Sequence, residues 1–182
     1  MTEPSAAVDE PSAAQGSAEP AAAIRSAIAT VDAGLAKAFD AQSADAGNAD
    51  IDRLLAARAG AMDAQVRAAW KACLPDEAAL ALFAVGGYGR AELFPQSDID
   101  LLILAEPDAQ AMHAEALARF VALLWDAGLP VGHAVRSPAQ CTEAAADITV
   151  LTSMLEARPL IAQVEHLHAL QEIGRASCRE RV

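Results

Sequence analysis

The chain has 182 residues with 25 acidic and 13 basic side chains, a net charge of −12, which allows one core domain with ragged ends and argues against binding a nucleic-acid backbone through neutralised phosphates. Aromatic residues make up only 4% against 54% hydrophobic residues, so much of the core has to be Leu, Val, Ile and Ala packed closely on helices. No apolar run approaches the roughly 18 residues of a membrane span, and the opening MTEPSAAVDEPS has neither the basic start nor the apolar segment of a signal peptide.

Residues 1–20 repeat EPSAA at Glu3 and Glu10 among Pro, Ser, Gly and Gln. Nothing there buries enough surface to offset the entropy of ordering, so a disordered tail is expected. Residues 21–39 place Ile24, Ile28, Val31 and Leu35 at helical spacing, which predicts an amphipathic helix. A small polar linker over residues 42–48 precedes a second helix over residues 50–73, with Leu54, Leu55, Met62, Val66 and Trp70 along one side. Leu74-Pro75 ends it. Residues 21–73 therefore read as a helical lead-in, and residues 74–171 as the core domain.

Within the core, residues 80–85 are short, apolar and stopped by Gly86-Gly87, as a buried strand would be. Residues 98–104 form the second strand. Pro107-Asp108 opens a helix reaching residue 127, with Leu117, Phe120, Val121 and Leu124 at i, i+3, i+4 and i+7. Residues 128–130 break it, and residues 131–136 make a third short strand. Ser137 to Gln140 matches a capping box with Pro138 at the first helical position. A last helix over residues 147–158 carries Val150, Leu151, Met154 and Leu155. A three-strand sheet of this kind has an exposed edge and needs further chain to close its core.

Residues 172–182 read EIGRASCRERV, where five of eleven residues are charged and one is alanine. The string resembles the translation of a DNA-sequencing adapter, so it is set apart from the fold as a scar. On that reading Cys178 carries no information and the natural protein continues beyond about Gln171. Cys73 and Cys141 complete a set with neither metal-ligand spacing nor an even framework, and a cytoplasmic, reduced protein is expected.

The chemistry concentrates in residues 83–104, FAVGGYGRAELFPQSDIDLLIL. Side chains alternate along a strand, so Asp98 and Asp100 project from one face about 6–7 Å apart while Ile99, Leu101 and Ile103 turn into a core. Two carboxylates so close on an apolar strand raise each other's pKa unless a cation intervenes. In two-metal nucleotidyl transfer, one ion activates the attacking oxygen and the other holds the triphosphate and the departing pyrophosphate. An all-oxygen ligand set suits Mg²⁺, and a bound metal supplies the positive charge that an otherwise acidic chain lacks for nucleotide binding. Asp-Ile-Asp alone more often marks a solvated strand end. The glycine turn upstream changes that balance, because Gly86 and Gly87 let backbone N–H groups approach phosphate closely. Gly89 permits the tight turn, and Arg90 is placed to pair with a phosphate oxygen or with Glu92. The run is neither the GxGxxG of dinucleotide binders nor a P-loop, which needs Gly-Lys-Ser/Thr.

This layout resembles the hG[GS]…DxD signature of the polymerase-β-type nucleotidyltransferase superfamily. More narrowly, GGYGRAELFPQSDIDLLIL is similar to the core of the bacterial PII-protein uridylyltransferases, the bifunctional uridylyltransferase/uridylyl-removing enzymes. The likeness continues through LLWDAGLPVGHAVRSPAQC and ADITVLTSMLEAR, reaches the lead-in near LLAARAGAMDAQVRAAWKACLP, and so covers about residues 50–170. Where the family reads GGYGRGELFPYSDIDLLIL, this chain has Ala91 and Gln96. Ala91 matters if that glycine serves a positive φ or a close ligand approach.

The resemblance implies an α/β (α+β) fold, with a small mixed sheet flanked by helices. It implies transfer of UMP from UTP to a tyrosine of the trimeric PII signalling protein, with Mg²⁺ as cofactor and release of pyrophosphate. Asp98 and Asp100 become the catalytic, metal-binding pair, Gly86 and Gly87 the triphosphate cradle, and Arg90, Glu92 and Ser97 further members of the nucleotide site. The superfamily commonly adds a third carboxylate on the next strand. Residues 131–136 have none, and Asp147 is the nearest downstream candidate, although an aspartate opening an amphipathic helix is more often a cap.

Family members continue into an HD-type phosphohydrolase domain and two glutamine-sensing ACT domains, and no His-Asp doublet occurs in this sequence. Two other readings stay open: a glutamine synthetase adenylyltransferase on a related fold, and a non-catalytic remnant that binds PII or nucleotide. The FPxSDIDLL run, and His133 in place of an acid on the third strand, favour the uridylyl branch. His133 is expected as a buried, hydrogen-bonded residue before a nucleotide contact, His166 and His168 as surface, and Trp70 and Trp125 as core.

Overall fold

The computed structural model describes residues 15–41, 48–76 and 78–179. Two long helices, α1 (Gln15–Asp40) and α2 (Asn48–Cys73), lead into a four-stranded sheet. Its strands are β1 (Ala81–Ala84), β2 (Ile99–Leu104), β3 (Val131–Arg136) and β4 (Arg158–Ile161), in the order β3-β2-β1-β4. β1 runs antiparallel to β2 and β4, whereas β2 and β3 are parallel. A single helical turn, α3 (Gly86–Gly89), follows β1. The parallel pair is joined through α4 (Pro107–Met112) and α5 (Ala114–Asp126), and α6 (Pro138–Ala144), α7 (Ile148–Leu155) and α8 (Val164–Arg179) complete the chain order. The mixed sheet flanked by helices is the architecture the sequence implies.

Alternation along β2 sorts its side chains between two cores. Ile99, Leu101 and Ile103 enter a cluster with Val66 and Trp70 of α2 and Phe120 and Leu124 of α5. Leu102 and Leu104 enter a second cluster with Phe83, Cys141, Leu151, Met154, Leu170 and Ile173. The sheet is therefore covered on both faces. The face that carries Asp100 is roofed by α6, α7 and α8 except around the carboxylate itself.

Several boundaries depart from expectation for identifiable reasons. Residues 15–20, placed in the disordered tail, open α1 instead, because Ala21 and Ile24 anchor the helix in the first core and the preceding residues propagate from it. The remainder of that tail, residues 1–14, lies outside the described residues, as do residues 42–47 of the polar linker and residues 180–182. The helix expected over residues 107–127 breaks at His113 (φ −105°, ψ 11°). α4 fully buries no side chain and only rests Ala109 against the first core, so it does not share the apolar stripe of the strongly amphipathic α5.

β4 went unanticipated because Arg158-Pro159 reads as a helix end. Proline is tolerated there since β4 is an edge strand. Its pairing covers β1, so the sheet has four strands and not three. α8 runs without interruption across the expected boundary at residue 171, and Leu170 and Ile173 share the second core. Likewise α2 is a layer of the core, with Ala59, Met62, Val66, Ala69 and Trp70 all buried in the first cluster. The ring of Trp70 meets Phe120 edge-on at 5.2 Å. Among the described residues, no helix is long and apolar enough to cross a membrane.

Candidate active site

β2 presents Asp100 between the glycine turn and β3. Its register partner on β3 is Gly132, and a Cβ there would stand 2.6 Å from Asp100 Oδ1. The other oxygen, Oδ2, faces the turn, 3.5 Å from where a Cβ on Gly86 would lie. Gly132 is thus required for close approach, and Gly86 for backbone conformation, since it sits at φ +58°. Asp100 is exposed over much of its surface, yet partial burial at the strand, and then the charge of Asp98, push its carboxyl above the ordinary range. Asp98 precedes the strand and is exposed. Its charge acts on Asp100 from just ahead of the strand and not from a position within it.

The turn after β1 is one helical turn whose first N–H groups, at Gly86 and Gly87, have no partner within it. Its end is a Schellman closure: Ala91 N donates to Tyr88 O at 3.1 Å and Glu92 N to Gly87 O at 3.0 Å. The residue that closes such a motif adopts the left-handed conformation, and Ala91 does so at φ 61°. The substitution singled out in the sequence therefore falls on a position with a real demand for glycine. Gly89 serves packing: a Cβ would lie 2.3 Å from the carbonyl oxygen of Glu156.

Arg90 points its guanidinium at two carboxylates, Nε to Glu92 at 2.7 Å and Nη1 to Glu156 at 2.7 Å. Glu92 is therefore the holder of Arg90 and not an independent group. Ser97 closes a turn by donating its N–H to Phe94 O at 3.0 Å, one residue ahead of Asp98. A cleft of about 290 Å³ opens beside Asp100, lined among others by Gly132, Arg136, Thr149 and Ser153. A second depression shares Asp100, Thr149 and Ser153 and extends to Arg90, Thr152 and Glu156. The hydroxyl stripe Thr149, Thr152 and Ser153 was missed in the sequence, although its i, i+3, i+4 spacing on α7 would have revealed it.

Asp147, considered as a third metal ligand, is the N-cap of α7 and accepts from Thr149 N at 2.8 Å. Among the described residues, no group of three or more His, Cys, Asp or Glu gathers as a metal site. His133 pairs in register with Leu101, not with Asp100. It is exposed and meets the ring of Trp125 edge-on at 5.9 Å. The expectation of a buried His133 fails because β3 is an edge strand, and Trp125, placed in the core by the sequence, is 54% exposed for the same reason. His168 is exposed and His166 partly so.

A profile of the nucleotidyltransferase domain matches residues 66–154, from the second half of α2 to the body of α7. The chain is 54% identical over 155 residues to the bifunctional uridylyltransferase/uridylyl-removing enzyme of Xanthomonas campestris pv. campestris, covering 85% of this chain and 17% of that protein. It is 51% identical over 170 residues to the enzyme of the same name from Xanthomonas axonopodis pv. citri, covering 93% and 19%. With that of Stutzerimonas stutzeri it shares 51% over 113 residues, covering 61% and 13%. The chain thus spans less than a fifth of the length of these curated relatives.

Proposed function

Because this chain belongs to the nucleotidyltransferase domain family and is homologous to part of the bifunctional uridylyltransferase/uridylyl-removing enzymes, we propose that it transfers a uridylyl group from UTP to a tyrosine hydroxyl of the PII nitrogen-signalling protein, with release of pyrophosphate. The observation that carries this reading is the Asp100 carboxyl, its pKa raised by burial and by Asp98, with Oδ2 facing the glycine turn and Oδ1 given room on β3 by Gly132.

Mg²⁺ fits this donor set. A carboxylate beside a cleft, with a second acid acting on it from just ahead of the strand, is stabilised by a divalent cation, and carboxylate oxygens are the ligands Mg²⁺ prefers. Asp98 and Asp100 would hold it, and the ion would supply charge neutralisation at the triphosphate and at the attacking oxygen. The chain's own groups do the rest. The N–H groups of Gly86 and Gly87 aim at phosphate oxygens, and Arg90 exchanges its carboxylate partners for the triphosphate. Thr149, Thr152 and Ser153 offer hydroxyls along the nucleotide's flank. Asp147 stays with its capping bond.

Replacing either Asp98 or Asp100 by Asn keeps the side-chain shape and removes the charge. Transfer of label from α-labelled UTP to PII is expected to fall by roughly 10²- to 10³-fold in each variant, the scale of loss when a group that acts on developing charge is removed. Retention of transfer in both variants would refute the assignment of the pair.

A further inference from the structure

Behind the glycine turn lies a buried polar network that the nucleotide chemistry does not itself use. Tyr88, the aromatic residue of the turn, is 1% exposed and donates its phenol proton to Asp63 Oδ1 on α2 at 2.7 Å. Asp63 is itself 6% exposed. Arg158, the first residue of β4, grips both oxygens of Asp63, with Nη2 to Oδ1 at 3.0 Å and Nη1 to Oδ2 at 2.5 Å. The same guanidinium donates Nη2 to Tyr88 O at 3.1 Å and Nε to Gly89 O at 3.2 Å. Its carbon lies 5.5 Å from the centre of the Tyr88 ring. Arg67 adds a longer contact to Asp63 at 3.8 Å and fixes β4 by donating to Leu160 O at 2.9 Å.

Two elements distant in sequence, α2 and β4, thus converge on the four-residue turn α3. Burying a charged pair costs desolvation that apolar residues would avoid, so such a network is weak as a device for stability alone. What it does accomplish is geometric. It holds the backbone of Tyr88 and Gly89, and two residues upstream the same turn brings Gly86 against Asp100 Oδ2. The phenol is kept protonated, since burial and the Asp63 charge raise its pKa, so the donor to Asp63 does not titrate away.

We propose that Asp63, Tyr88 and Arg158 are positioning residues of the nucleotide site, fixing the glycine turn at the distance from Asp100 that a triphosphate requires. The proposal rests on the nucleotidyl-transfer reading of that site. A second buried anchor on α2 works in the same sense: Arg58 donates to Phe94 O at 2.9 Å and Pro95 O at 3.2 Å while paired with Asp32. Together these contacts hold both ends of the segment between β1 and β2, which carries Gly86 at one end and leads into Asp98 at the other.

The deciding variant is Tyr88→Phe, which deletes one oxygen and keeps the ring in place; Arg158→Lys, which loses the fork, supports it. Both are made in the protein as its gene encodes it, and UTP binding is measured by equilibrium dialysis alongside steady-state kinetics and melting. A misplaced turn weakens the hold on the triphosphate, so Tyr88→Phe is expected to raise both Kd and KM for UTP about tenfold while kcat at saturating UTP changes less than about threefold. Arg158→Lys is expected to move the same two constants in the same direction. A Tyr88→Phe protein that binds UTP as the parent does and only melts earlier, or one that does not fold, would make the network a stability device and overturn the proposal. Asp98→Asn runs as the control: if it still transfers label, the error lies in the reading of the site and not in the positioning network.

Discussion

Ala91 closes the glycine turn in the left-handed region at φ 61°, a conformation that costs an L-residue roughly 1–2 kcal/mol. Glycine relieves that strain and loses part of the gain to its freer unfolded chain. Ala91→Gly is therefore expected to stabilise the protein by a net 0.5–1 kcal/mol, roughly, as a shift of the urea midpoint at constant slope. A shift toward lower urea would contradict it. Asp100 yields a pH test. Its folded-state pKa is raised, so its contribution to stability is complete below its unfolded value and is lost as pH rises through the raised one. Asp100→Asn should melt above the parent at neutral pH, with the gap closing as pH falls toward the ordinary carboxylate range. A gap constant across that range would rule out the shift. At Gly132, alanine would put a methyl group 2.6 Å from Asp100 Oδ1, displacing the carboxylate. We expect Gly132→Ala to lose most of its transfer activity while melting near the parent temperature. The paired acids and the glycine turn were legible because strand alternation and glycine chemistry are local. Asp63 and Arg158 were not, since both lie in strings that resemble the family but their partnership spans 95 residues, which no local pattern reveals.

At the scale of elements, local signals were again the readable ones. The capping box at Ser137 forms with both reciprocal bonds, Gln140 N to Ser137 Oγ at 3.2 Å and Ser137 N to Gln140 Oε1 at 2.8 Å. Ser137→Ala should cost about 1 kcal/mol, read from denaturant unfolding, and no loss would mean that α6 is held by packing alone. β3 matched its expected limits residue for residue. β4 escaped because three of its four residues are not fully buried and one is proline, so it lacks both alternation and a continuous apolar run. α3 escaped because four residues containing three glycines have no helical propensity of their own. The turn exists because its end is closed by backbone bonds and its rear is held by Arg158.

For the whole molecule, the helical lead-in and the nucleotidyltransferase core are one body. α1, α2, α5 and one face of the sheet share a single apolar cluster. A chain beginning at residue 74 would uncover Ile99, Leu101 and Ile103 and remove Asp63. Such a truncation is expected to show no cooperative thermal transition, and a sharp one would show that the lead-in is dispensable. Helical periodicity says which face is apolar and not what it packs against, so the lead-in and the core look separate in the sequence. In the proposed reaction this body carries a nucleotidyl group from UTP to a protein hydroxyl. Its most direct test is to incubate the protein with PII, Mg²⁺ and UTP labelled at either the α- or the γ-phosphate. The α-label should appear on a PII tyrosine and the γ-label in free pyrophosphate, one for one. Failure of the α-label to reach PII, or its transfer instead from ATP to glutamine synthetase, would contradict the account.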